Sequence, residues 1–222
     1  NSWGRTKSFY IFDINQDIYI KAYESKECYD LSELDTSEIT NMESIFEYSN
    51  YNGDISNWDV SNVTNMADMF FLAKEFNQAI GNWDVSNVTN MKRLFNGATI
   101  FNQDISKWDV SNVVNMYGMF NGSKSFNQNI SNWKLDSIIY ATNMFLDVKA
   151  FINRYNSGKT LPNETDSIKD WFNLNRDRMN DIDIKNKYGK EIDNFFSNIT
   201  DIHFTNGIGL HNNIHSLPIS IP

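Results

Sequence analysis

The segment Phe101-Asn-Gln-Asp-Ile-Ser-Lys-Trp-Asp-Val-Ser-Asn-Val-Val-Asn-Met-Tyr-Gly-Met-Phe120 is the clearest copy of a unit that recurs along the chain. Three aromatic series share one interval of 25 residues. They are Trp58, Trp83, Trp108 and Trp133; Phe70, Phe95, Phe120 and Phe145; and Phe76, Phe101, Phe126 and Phe151. With a shorter, degenerate copy at the N-terminal end, five repeats cover residues 31–153. Repeats 1 to 5 begin at Leu31, Ile55, Ile80, Ile105 and Ile130.

A fixed period with apolar residues at fixed offsets is typical of a solenoid, in which each unit is one coil stacked on the next. Within a coil, we expect Trp58-Asp59-Val60 to form a short strand with Trp58 and Val60 inward and Asp59 outward. The apolar residues that follow fall on one side of a short helix or 3₁₀ turn. These residues are Val63, Met66, Met69 and Phe70. Gly97 and Gly122 then supply a left-handed residue at the exit.

Identical side chains at identical offsets are what a stacked core requires, so we assign the Trp and Phe series to the core rather than to a cofactor site. Two asparagine series repeat in the same way: Asn62, Asn87 and Asn112, and Asn65, Asn90 and Asn115. We expect their amides to bond the backbone of neighbouring coils rather than a metal or a sugar. The predicted fold class is therefore an α/β repeat solenoid held by internal ladders.

The unit FNQDIS-x-WDVSNV-x-NM-x-x-MF resembles the BspA-like leucine-rich repeat, also known as the DUF285 or mycoplasma lipoprotein repeat. The resemblance implies a leucine-rich-repeat-like, right-handed stack of coils and no catalytic residues. Proteins of that family are mostly surface-exposed, and members with an assigned role bind host or matrix proteins. Val63 stands where leucine-rich repeats usually carry an asparagine, so the inner hydrogen-bond ladder must be built differently here.

The flanks of the array lack the period. Residues 1–30 are expected to form an N-terminal β cap, with a hairpin of strands at 9–12 and 18–23. Residues 154–222 are expected to form a C-terminal helical cap and an extended tail, with helices at 164–175 and 187–199. Those helices could close the last coil or dock on a partner.

Composition excludes several classes of function. The chain of 222 residues carries 28 acidic and 19 basic side chains, a formal charge of −9, which disfavours nucleic acid as a partner. No apolar run is long enough to span a bilayer. Cys28 is the only cysteine of the chain. His211 and His215 have the i, i+4 spacing of two zinc ligands on a helix, but no Glu follows His211 and nearby glycines disfavour a helix. No nucleophile elbow, phosphate loop or dinucleotide fingerprint is present, so we expect no enzyme, no cofactor and no metal.

The outward residues of the predicted strands form a regular face. They are Asp35, Asp59, Asp84, Asp109 and Lys134, with Asn57, Asn82 and Lys107 beside them. We expect the aspartates to have no packing role and to raise one another's pKa by repulsion. The face suggests a protein-binding or adhesion module with a basic ligand, and the family resemblance implies a location at the cell surface or outside the cell. The alternative is a structural subunit of a virion or cell-envelope layer.

Overall fold

The computed structural model describes residues 11–14, 17–20, 31–32, 34–159 and 161–199. Within these residues the regular elements are β1 (Ile11–Ile14), β2 (Asp17–Ile20), α1 (Lys149–Asn156) and α2 (Thr165–Ile199). Two compact units divide the chain, Asn1–Asp183 and Ile184–Pro222, and the second is described over the C-terminal part of α2. None of the helices in the described part is both long and apolar enough to cross a membrane.

The predicted N-terminal hairpin is present, but it is tighter than expected. β1 and β2 pair antiparallel, with Ile11 opposite Ile20 and Ile14 opposite Asp17. The connection is therefore two residues, Asn15 and Gln16, instead of the five expected, and two-residue connections are the commonest in hairpins. The outer parts of the predicted strands lie outside the described residues, and the assignment of 1–30 as a cap stays a prediction.

Successive repeats are joined by a ladder of backbone hydrogen bonds. In each repeat, four alternate N–H groups donate to carbonyl oxygens of the next repeat at 2.6–3.0 Å. From repeat 2 to repeat 3 the bonds are Met66 to Asn90, Asp68 to Lys92, Phe70 to Leu94 and Leu72 to Asn96. The same four positions bond in each of the other three junctions. Equivalent positions of consecutive repeats therefore lie side by side.

The expected strand of each repeat is absent from the described residues, and of the two alternatives expected after it, a short helix or a 3₁₀ turn, the helix is wrong. Residues 58–60 do not form a β-strand. In the described repeats, β-bridges between consecutive repeats are single and parallel, such as that of Asn65 with Asn90. The segment after residues 58–60 is a series of hydrogen-bonded turns rather than a helix. Two left-handed residues four positions apart, such as Asp68 (φ 59°) and Leu72 (φ 55°), interrupt each turn series. A helix cannot continue through such residues.

Left-handed residues recur at the same two positions in every repeat. They are Ser44 and Tyr48, Asp68 and Leu72, Arg93 and Gly97, Gly118 and Gly122, and Asn143 and Asp147. The left-handed conformation predicted for Gly97 and Gly122 is thus confirmed, at φ of 72° and 71°. A side chain at such a position costs about 1 to 2 kcal/mol. The inter-repeat hydrogen bonds that these residues themselves donate in repeats 1 to 4 offset this cost.

The aromatic series lie in the core. The four tryptophans are at most 5% exposed, and Phe70, Phe95 and Phe120 are 0% exposed. Phe46 and its four equivalents stack with ring centroids 5.4–5.8 Å apart, and a second column from Phe76 to Phe151 has steps of 6.0–6.1 Å. Each tryptophan also donates its indole N–H to a carbonyl of the preceding repeat, as Trp83 does to Ile55 at 3.1 Å.

The C-terminal helices differ from the prediction. One 35-residue helix, α2, replaces the two short helices expected at 164–175 and 187–199. No proline or glycine interrupts residues 176–186, and Met179, 0% exposed, extends the buried stripe of Ile168 and Phe172. The short helix α1 was not expected. It buries Phe151 and Tyr155, one turn apart.

Residues of α2 contact the last repeat. Thr165 Oγ1 accepts a hydrogen bond from the Ala141 N–H at 2.9 Å, and Arg176 Nη1 donates to the carbonyl of Trp133 at 2.9 Å. The Phe172 ring packs 5.6 Å from Phe145. The final repeat thus receives polar and aromatic partners from residues 161–183. The predicted extended tail, with His203, His211 and His215, lies outside the described residues.

Replacing Trp83 with Ala should lower the free energy of unfolding by about 3 to 5 kcal/mol, since a buried aromatic side chain is lost. The change also removes the indole hydrogen bond to Ile55. Denaturant unfolding followed by circular dichroism measures the difference. The exposed neighbour Asn82, replaced with Ala, is the control and should change stability by less than about 0.5 kcal/mol. Equal stabilities of the two variants would contradict the packing described.

Candidate binding face

The predicted face residues are all exposed, on neighbouring repeats. The exposed residues are Asp35, Asp59, Asp84, Asp109 and Lys134, with Asn57, Asn82 and Lys107. The predicted alternation of inward and outward residues is present although residues 58–60 form no strand. Trp58 and Val60, on either side of the exposed Asp59, are 3% and 1% exposed. The three acidic residues on the N-terminal repeats, Asp35, Asp59 and Asp84, are called the acidic stripe.

The aspartates do have a structural role, contrary to expectation. One carboxylate oxygen of each accepts the backbone N–H of the serine two residues later, at 2.9–3.1 Å. The four pairs are Asp35 with Ser37, Asp59 with Ser61, Asp84 with Ser86 and Asp109 with Ser111. This is the Asx turn, and the recurring Asp-x-Ser spacing was the sequence signal for it. The bond fixes each carboxylate in direction and leaves its second oxygen available.

These bonds also reverse the expected pKa shift. The serine hydroxyl, and after it the serine N–H, lowers the pKa of Asp35, Asp59 and Asp109 below the ordinary value. Repulsion from Asp35 acts on the pKa of Asp59 in the opposite direction and is the smallest cause named for it. Stabilisation by a lowered folded-state pKa is present above the unfolded pKa near 4 and is lost as the pH falls further. Asp35 and Asp59 of the acidic stripe therefore stay charged at neutral pH.

One asparagine series bonds as predicted and the other does not. Asn62, Asn87 and Asn112 donate to serine carbonyls of the preceding repeat, each at 2.8 Å. The second series, which includes Asn65 and Asn90, accepts the N–H two residues later in its own repeat. The first series confirms the expected amide ladder beside the face.

A third amide ladder was missed from the sequence. Asn77 Oδ1 accepts the N–H of Asn102 at 2.9 Å, and Gln103 Nε2 donates to the Asn77 carbonyl at 2.8 Å. The same pair of bonds joins Asn102 to Asn127 and Gln128. The recurring Phe-Asn-Gln triplet was the available signal. This ladder holds the turn that borders the face.

Three clefts lie next to one another over repeats 3 to 5 and are called the polar trough. Their volumes are about 220, 240 and 390 Å³. The first includes Ala79, Gly81, Asn82 and Gln103; the second Gln128, Asn129, Arg154 and Asp183; the third Trp108, Asp109, Val110 and Lys134. Adjacent clefts share Asp104, Ser106, Lys107 and Asn132. The trough therefore contains part of the predicted face and extends past it to α1 and α2.

The C-terminal wall of the polar trough is held by an ion-paired cluster. Arg154 Nη2 lies 2.5 Å from Asp183 Oδ1, and Arg154 Nη1 donates to the Asn127 carbonyl at 2.9 Å. The buried Tyr155 hydroxyl donates to Asp183 at 3.0 Å, and burial raises the pKa of Tyr155. Since Arg154 and Tyr155 are on α1 and Asp183 is on α2, the cluster ties the two helices together at the end of the trough.

Among the described residues, no group of three or more His, Cys, Asp or Glu side chains is placed to hold a metal ion. Cys28 and the three histidines lie outside those residues. The absence of metal and cofactor sites therefore stays a prediction for the chain.

The Asx turns predict a difference between two substitutions at one position. Asp84→Ala removes the acceptor for the Ser86 N–H and should cost about 0.5 to 1.5 kcal/mol. Asp84→Asn keeps an acceptor oxygen and should cost less than half as much. Denaturant unfolding at neutral pH measures both. If the two variants were equally destabilised, the hydrogen bond would not be the cause.

A known protein family matches the chain. The family described as Mycoplasma protein of unknown function, DUF285, matches residues 16–104 and 78–186. The two overlapping matches together extend over the five repeats and into α2. No curated protein and no solved structure matches the chain. Since the matched residues make up well over half of the sequence, the chain belongs to the DUF285 family.

Proposed function

We propose that this protein is a non-catalytic binding module of the BspA-like type, in which a solenoid of stacked coils presents one face to a protein ligand. The ligand would be a host or matrix protein. The proposed location is the cell surface or the extracellular space. The exposed, hydrogen-bonded acidic stripe is the observation that carries the proposal.

The contacts between repeats support the solenoid. Four backbone bonds join each pair of repeats at every junction, and the aromatic columns keep nearly constant steps. A structure built from such nearest-neighbour contacts presents equivalent side chains at regular intervals. These features agree with a leucine-rich-repeat-like, right-handed stack, although regular strands are lacking in the described repeats.

The chemistry of the acidic stripe supports a basic ligand. Asp35, Asp59 and Asp84 occupy equivalent positions on consecutive repeats, and each has one carboxylate oxygen that the Asx turn does not use. Because the turn fixes the carboxylates, little side-chain entropy is lost when a cation binds. Lysine or arginine side chains of a protein ligand fit this arrangement.

A separate observation favours the alternative, a structural subunit of a virion or envelope layer. Tyr117, Ile139 and Tyr140 are 40%, 61% and 58% exposed on repeats 4 and 5. Tyr140 pairs with Asn115, and the Ile139 N–H bonds the Val114 carbonyl, so the backbone segments that carry these residues are adjacent. Exposed apolar clusters are common at protein contacts. In a layer, this cluster would face a neighbouring subunit.

Neutralising the acidic stripe tests the proposed function. The triple variant Asp35→Asn, Asp59→Asn and Asp84→Asn keeps the turn acceptors and removes three charges. If each exposed ion pair contributes about 0.5 kcal/mol, binding at low salt should weaken about tenfold. The wild type should also lose affinity as salt rises, because exposed charges are screened. Surface plasmon resonance with immobilised matrix proteins, and with a lysine-rich peptide as a defined probe, measures both effects.

The matched control removes three exposed charges elsewhere, with Glu75→Gln, Asp147→Asn and Asp170→Asn. This control variant should bind as the wild type does. Equal binding by the stripe variant and the wild type, with the same salt dependence, would rule out the acidic stripe as the recognition surface. Sedimentation and crosslinking address the alternative: a monomer at high concentration argues against a subunit role.

A further inference from the structure

The polar trough differs from the acidic stripe in both charge and shape. The acidic stripe consists of three carboxylates and contains no lysine or arginine. In the trough each cleft combines both signs: Asp104 with Lys107, Asp183 with Arg154, and Asp109 with the two lysines, Lys107 and Lys134. The charges therefore nearly balance within each cleft. A strongly charged ligand gains little from such a surface.

The trough contains hydrogen-bonding groups that the fold leaves unused. Asp104 Oδ1 accepts the Ser106 N–H at 2.9 Å, and its second oxygen has no partner among the described residues. Gln128 donates its amide N–H₂ to the Asn102 carbonyl and to Asn102 Oδ1, and its side-chain carbonyl has no partner among the described residues. The Asn132 amide is exposed and bonds no described group. Carboxylate, amide and hydroxyl groups thus meet within one cleft, so donors and acceptors stand next to each other.

The trough also lacks a protruding apolar anchor. Of its lining, Trp108 and Val110 are 3% and 1% exposed and contribute only to the floor of the largest cleft. Tight protein interfaces depend on apolar or aromatic anchors seated in pockets, and this lining offers no deep apolar pocket for one. An uncharged ligand rich in hydroxyl groups matches the trough better, since each hydroxyl both donates and accepts.

The periodicity of the trough adds to this chemistry. Equivalent amide-bearing positions, Asn82 and Asn132, stand two repeats apart, and the aromatic columns beneath have steps of 5.6–6.1 Å. Lys107 stands at the equivalent position between them, so an extended chain of hydroxyl groups would meet an amide, an ammonium group and an amide in turn along the trough. We propose that the polar trough binds a neutral carbohydrate chain. This inference rests on the proposed function as a binding module, because the trough and the stripe are parts of one exposed face.

Titration of the full chain with a panel of neutral oligosaccharides tests the proposal. The panel contains glucans, mannans and chitin oligomers, and amide NMR spectra and calorimetry follow binding. At least one oligosaccharide should bind saturably, with shifts concentrated at Ser106, Lys107 and Asn132. Asn132→Ala should weaken that binding about tenfold, and Asp104→Asn, which keeps the Asx turn, should also weaken it. Asn57→Ala is the matched control, because Asn57 is the equivalent residue of repeat 2, outside the trough, and binding should not change.

The outcomes separate this inference from the proposed function. No binding by any neutral oligosaccharide overturns the inference, and so does equal loss in the Asn57 and Asn132 variants. Binding of a lysine-rich peptide with shifts confined to the acidic stripe supports the proposed function alone. If shifts from that peptide instead centre on the trough, the trough is a peptide site and the carbohydrate assignment is wrong. The acidic-stripe variant should bind the oligosaccharide as the wild type does.

Discussion

The hydrogen-bond ladder between repeats is the constraint on which the rest of this structure depends. In the turn segments, every ladder N–H points toward the C-terminal end of the array and the accepting carbonyls point toward the N-terminal end. The last repeat therefore presents these ladder donors at its C-terminal edge, beside carbonyls such as that of Trp133, which accepts from Arg176. Thr165 Oγ1 and the Asn163 carbonyl accept from Ala141 and Asn143, which supplies the acceptors that a sixth repeat would have provided. Buried backbone donors need such partners, so the directionality of the ladder determines what the end of the array must contain.

The same replacement occurs in the side-chain ladders. Asn77 and Asn102 each accept the backbone N–H of the next asparagine in a column that ends at Asn127, because α1 begins where the next asparagine turn would stand. Arg154 on α1 donates to the Asn127 carbonyl, as a glutamine does in the preceding repeats. Asn127 Oδ1 is left buried without a partner among the described residues. At the end of the array, a contact from α1 thus replaces one that a further repeat would make, and no contact from the described residues replaces the one that Asn127 Oδ1 would accept.

The sequence predicted which residues are buried more successfully than it predicted backbone conformation. Burial depends on the identity of residues at fixed offsets, and a 25-residue period reveals those offsets directly. Conformation depends on the left-handed residues, and at Asp68, Leu72 and Arg93 these have side chains that ordinarily favour other conformations. The contacts with neighbouring repeats offset the cost of this left-handed conformation, and such contacts cannot be derived from local propensity. The single helix α2 was missed for a related reason, because Met179, which extends the stripe of Ile168 and Phe172, is buried by tertiary contacts.

The departures from the repeat are where this fold acquires distinct surface chemistry. Side chains that are identical in repeats 2 to 5, such as the core tryptophans, are engaged in packing and hydrogen bonds within the array and are not free to bind a ligand. Ala79 and Gly81 replace the acidic or amide residue and the serine found at those positions in repeats 4 and 5. Gly81 is required there, because an added Cβ would overlap the Asp104 carbonyl oxygen. Lys107 and Lys134 likewise replace the asparagine and the aspartate of earlier repeats. All four changes line the trough, so a regular scaffold can carry a local binding surface without altering the ladder beneath it.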